Sequence, residues 1–111
     1  MNSQEAKKHI EVNQDYKFVA VLVPPLLYIA NKKSGKTHTE IGYPQGLIEG
    51  SGSLRNPFRP KQPDNFKAGT MRVSGDGQVA MTGYSTDFTQ YSFTQAQLEA
   101  FFESADIQIV G

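Results

Sequence analysis

The clearest pattern along the chain is Phe18 to Val23, apolar at every position, which predicts a strand buried on both faces. Such a strand belongs in the middle of a sheet or at one edge of a subunit interface. Pro24-Pro25 supplies no ladder donors and ends the pairing, and Leu26 to Ala30 resumes it. Lys32 to Lys36 reads as a polar turn, and Thr37 to Ile41 as the returning strand. Thr70 to Tyr84 predicts a hairpin: Met71 and Val73 alternate with polar residues, Gly75-Asp76-Gly77 turns the chain, and Val79 and Met81 alternate on the way back. Phe88, Tyr91 and Phe93 follow with less regular spacing.

A helix is predicted from Thr94 to about Ser104. Thr94 and Gln97 match a capping box, in which each side chain satisfies the other's backbone N–H, and Phe93 and Leu98 match the flanking hydrophobic staple. Leu98, Phe101 and Phe102 share one face. Asp106 to Val110 reads as a closing strand. Residues 1–16 fit either a short helix capped by Ser3 or a strand. The alternation of Ile10 and Val12 with polar neighbours favours the strand.

These elements predict an α+β fold over residues 1–111 as a single domain. The expected sheet is mainly antiparallel, of about five or six strands, with the C-terminal helix packed on one face. Between about residues 43 and 69 regular patterning disappears into Gly and Pro. Loops of more than about fifteen residues are uncommon in small domains, and they tend to be functional or disordered. Gly50-Ser51-Gly52-Ser53 is the most flexible-looking part of this one.

Composition narrows the chemistry. The 111 residues suffice for one core, and seven Phe without Trp place that core on Phe and aliphatic side chains. Basic and acidic residues balance at zero net charge, so no global field draws the protein to nucleic acid or to an anionic membrane. The charge is uneven, with a basic stretch at 55–67 and an acidic C-terminal third that either meet in the fold or face different partners. Absence of Cys excludes disulfides, thiolate metal sites and thiol catalysis. The run from Phe18 to Ala30 is too short to span a bilayer and is interrupted by prolines, so no membrane association and a cytoplasmic location are expected.

Two formal motifs carry chemistry. Ala30 to Thr37 fits a relaxed phosphate-loop pattern, but that mechanism needs a helix at the Lys36-Thr37 end, and the β-like residues that follow argue for a Lys-rich hairpin turn. His38 and Glu40, on the same face of a predicted strand, offer a general-base pair for a small enzyme. With His9 the only other imidazole, no metal or other cofactor is expected.

The richest stretch is Leu54 to Lys67. Here Arg55, Arg59, Lys61 and Lys67 interleave with Phe58 and Phe66 on a Pro-stiffened backbone. These six residues are the candidate binding set. The leading expectation is a non-enzymatic interaction module that presents the 43–67 loop to a protein partner or to its own copy, with the 18–23 strand supporting self-association if it lies at an edge. The alternative is single-stranded nucleic-acid binding by residues 55–67, cations tracking phosphates and Phe stacking on bases. The structural alternative makes Phe58 and Phe66 plugs that tie the loop to the core.

Overall fold

A computed structural model describes residues 1–111. Ten regular elements follow in the order α1 (Ser3–His9), β1 (Asp15–Val21), β2 (Leu26–Asn31), α2 (His38–Gly42), β3 (Ile48–Glu49), β4 (Arg59–Pro60), β5 (Phe66–Val73), β6 (Val79–Gly83), α3 (Gln95–Ser104) and β7 (Asp106–Ile109). Five strands form the main sheet in the order β6-β5-β1-β2-β7, antiparallel except for the parallel pair β2–β7. β3 and β4 form a separate two-stranded hairpin. The fold is therefore α+β, with a mostly antiparallel sheet and α3 packed against it.

The doubly apolar strand is central. β1 pairs with β2 through Phe18 and Ile29, and with β5 through Phe18 and Gly69. Both of its ladders are filled, which removes the expected route to self-association through an open 18–23 edge. Its alternation also separates two cores. Tyr16, Phe18 and Ala20 join Leu27, Ile29, Met71 and Val73 beneath α1 and α3, where Leu98 and Phe102 are fully enclosed. On the opposite face, Val19, Ala30 and Ala68 pack with Ile41 of α2, Ile48 of β3, Phe66 and Phe88. The irregular segments thus form the third layer of a sandwich.

Residues 1–16 divide into α1 and the start of β1, so the favoured strand reading of the first residues is replaced by a helix. Asn2, rather than Ser3, is the cap: its side-chain oxygen accepts the Glu5 N–H at 2.9 Å, and Ala6 and Ile10, one turn apart, are both buried. The Thr37–Ile41 stretch is likewise helical. Thr37 Oγ1 accepts the Glu40 N–H and the Glu40 carboxylate accepts the Thr37 N–H, each at 3.1 Å, a capping box that starts α2. The expected box at Thr94 and Gln97 is present on α3, and Phe93 packs 5.1 Å from Phe101 and 5.9 Å from Phe18 between ring centroids. No helix is long and apolar enough to cross a membrane.

Candidate functional site

The β3–β4 hairpin carries the segment that the sequence singles out. Its two arms meet through Ile48 opposite Pro60 and Glu49 opposite Arg59, and its tip spans residues 50–58. That tip is ordered by its own bonds. The Ser51 and Gly52 N–H groups both donate to the Asn56 carbonyl at 3.0 Å, and the Asn56 N–H donates to the Ser53 carbonyl and hydroxyl. The Arg59 guanidinium donates to Asn56 Oδ1 at 2.9 Å and to the Pro57 carbonyl, and it pairs with Glu49 at 3.2 Å.

The Gly-Ser-Gly-Ser run is accordingly a tight turn that its own hydrogen bonds close. Gly50 and Gly52 adopt φ of +103° and +82°. A Cβ at Gly50 would collide with the Pro57 carbonyl oxygen, and one at Gly52 would stand 2.5 Å from the Phe58 ring. Glycine is required at both places by backbone angle and by close approach together.

The six candidate residues do not converge. Arg55 lies exposed at the tip with no ion-pair partner, and Phe58 is 38% exposed, edge-on to Tyr43 at 6.0 Å. Arg59 is exposed but committed to Glu49. Lys61 is exposed beyond β4. Phe66 is 3% exposed, its ring 5.4 Å from Phe88 and 5.5 Å from Tyr91, so it is a plug of the second core. Lys67, the next residue on β5, faces the other side of the sheet with its ammonium 6.0 Å from the Phe93 ring centroid. The basic stretch and the acidic C-terminal third do not meet: Glu103 pairs with Lys7, and Asp106 with the Met1 amino group.

Two residues outside that set belong with it. Leu54, beside Arg55, is fully exposed, and Tyr43 is half exposed. Of six large apolar side chains at the surface, Tyr43, Leu54 and Phe58 lie on this one excursion, while Val12, Val23 and Tyr84 are scattered. Tyr43 and Phe58 touch each other, whereas Leu54 projects from the hairpin tip with its side chain uncovered. The available signal was Leu54 itself, an apolar residue with only Gly, Ser, Arg and Asn around it and no periodic partner.

His38 and Glu40 are not a pair. Residues two apart on a helix do not face each other. The His38 Nε2–H donates to the Gly69 carbonyl at 2.8 Å, and burial foremost, then the Lys17 charge, lowers its pKa against the opposing effects of the Gly69 bond and Asp87. The Glu40 carboxylate is held below the usual range chiefly by the Thr37 N–H that it caps. The phosphate-loop segment does lead into a helix, contrary to the β-like reading. That helix has only five residues, however, and its own Glu40 carboxylate occupies the end where phosphate would sit. No three His, Asp or Glu side chains gather in a way that would hold a metal ion.

Two concavities flank the hairpin. One is an open depression of about 540 Å³ where Tyr43, Pro44 and Phe58 meet Lys36 and Glu40. The other, a cleft of about 300 Å³, lies between the β1–β2 turn and residues 61–66. Compared with family models, with curated proteins and with solved structures, the chain matches none.

Proposed function

We propose that the protein is a non-enzymatic interaction module whose β3–β4 hairpin presents Leu54 and Arg55 to a protein partner, with Tyr43 and Phe58 flanking the contact. The observation that carries this reading is a fully exposed Leu54 on a tip held in shape by its own hydrogen bonds. An apolar side chain on a mobile loop costs ordering entropy when it docks, whereas one on a preformed loop avoids most of that cost. Enclosing Leu54 in a partner contributes about 1.5–3 kcal/mol, roughly ten- to hundredfold in affinity. Arg and Tyr are among the residues enriched at the energetic centre of such contacts, which favours Arg55 and Tyr43 as contributors beside Leu54.

Nucleic-acid binding has less support on this surface. With Phe66 enclosed, Arg59 paired and Lys67 across the sheet, the loop retains one exposed Phe and two free cations. Stacking platforms use successive aromatics along a basic groove.

The test is photocrosslinking in extract of the source organism with photoleucine, which keeps the aliphatic side chain, at position 54. A discrete adduct is expected, competed away by excess unlabelled protein and not by the Leu54→Asp variant. Equal competition by Leu54→Asp would overturn the reading.

A further inference from the structure

We propose that the cleft between the β1–β2 turn and residues 61–66 binds a small monocarboxylate with a compact apolar body. The cleft encloses about 300 Å³, at the lower end of the roughly 300–1,000 Å³ range of small-ligand sites. Val21, Leu26, Leu47 and Phe66 supply its apolar wall. Phe66 is backed by Phe88 and Tyr91, so that wall is packed before any ligand arrives. The facing side is equally preformed. The Asn65 carboxamide accepts the Val23 N–H and donates to the Val23 carbonyl, both at 2.8 Å, and fixes the β1–β2 turn.

The polar groups are one-sided. Lys61 is the single ionisable residue lining the cleft, no acid stands among its neighbours there, and it belongs to none of the four ion pairs of the fold. Its backbone N–H donates to the Leu47 carbonyl at 3.0 Å, which ties the rim to the wall. Gln62, whose Oε1 lies 3.5 Å from Asn65 Nδ2, also lines the cleft, and its NH2 has no protein acceptor. Lys61 and Gln62, both solvent-accessible on the rim of an otherwise apolar cleft, suit an acceptor-only head of a single negative charge on a hydrocarbon or aromatic body. A free inorganic anion would leave the wall unused, and a neutral alcohol would leave the ammonium unmatched.

The probe is phenylacetate, followed through the backbone amide resonances of Val21, Leu26, Leu47, Lys61 and Phe66 in the full chain. Saturable shifts confined to these residues are expected. Phenylacetamide, and phenylacetate on the Lys61→Gln variant, should each bind about tenfold more weakly or worse. Lys61 reaches the solvent with its side chain, so the variant's remaining spectrum should be unchanged. Absence of saturable shifts, or equal binding of acid and amide, would overturn the proposal. So would preference for a tripeptide ending in phenylalanine, since the same chemistry would then belong to a chain end. Leu54→Asp should bind phenylacetate as the parent does, which separates this site from the hairpin tip.

Discussion

Gln95 stands against Met81 as a neighbouring strand's backbone would: its Oε1 accepts the Met81 N–H at 2.7 Å while its Nε2 donates to the Val79 carbonyl at 2.7 Å. β6 is an edge of the main sheet, and these are outward-facing groups that would otherwise offer a template to another chain. One carboxamide at the first turn of α3 covers them both. Gln95→Ala should therefore lower stability by about 1 kcal/mol and produce concentration-dependent association. Denaturant titration and sedimentation velocity measure the two effects. A variant that is as stable and as monodisperse as the parent would show that the amide guards nothing.

The two loop phenylalanines should respond differently to truncation. Phe66→Ala removes a ring enclosed by Phe88 and Tyr91 and should cost about 3–5 kcal/mol. Phe58→Ala loses an edge contact with Tyr43 at the surface and should cost about 1 kcal/mol. Urea midpoints of the two variants decide it, and equal losses would contradict the assignment of Phe66 to the core and Phe58 to the surface.

Acidification acts through His38. Its pKa in the fold lies below the ordinary value of 6.5, so between the two values the unfolded chain carries the additional proton. The stability it contributes is complete above about pH 6.5 and is lost as the pH falls toward the folded value. His38→Gln keeps an N–H for the Gly69 carbonyl without a titrating ring. Its stability should decline less than the parent's between pH 7 and pH 5, and parallel declines would rule out this role for the imidazole.

Gly50→Ala tests the shape of the hairpin tip. The added methyl meets the Pro57 carbonyl at a backbone angle that alanine rarely adopts, a cost above about 1 kcal/mol. The strain is local. Amide exchange should accelerate at Ser51, Gly52 and Asn56 while β1 and β5 keep their protection. Unchanged exchange at the tip would mean that the loop does not depend on this close approach.

Much of the sheet was readable from the chain because its signals are repetitive. The uninterrupted apolar run of β1, the alternation of Met71, Val73, Val79 and Met81, and the cap and staple of α3 each state one element without outside help. The sequence leaves α1 open between helix and strand and makes α2 look like a strand, for one reason. Asn2 with Glu5, and Thr37 with Glu40, have the spacing of a cap and its return residue, yet the β-branched residues nearby have the opposite propensity. In a five-residue helix the cap is most of the local signal, and propensity is a poor guide. β5 begins at Phe66, earlier than the alternation suggests, because Phe66, Ala68, Gly69 and Thr70 are all buried and the polar phase is lost. The hairpin tip had no periodicity to read at all. Its order comes from Asn56, Ser53 and Arg59 reaching across the loop, and the sequence holds no record of that pairing. The candidate set scattered for the same reason: cations and rings adjacent in sequence fell on opposite faces of a strand once Phe66 and Lys67 joined β5.

The bonds that hold the tip engage Ser51, Gly52, Ser53, Asn56, Pro57 and Arg59, and none of them involves the side chain of Leu54 or Arg55. Shape and chemistry are thus carried by different residues. Substitution at positions 54 and 55 therefore leaves every bond of the surrounding frame in place, and the tip keeps its shape while its exposed chemistry changes. The same division makes the hairpin a site onto which a foreign pair of recognition side chains can be grafted without redesigning the sheet beneath it.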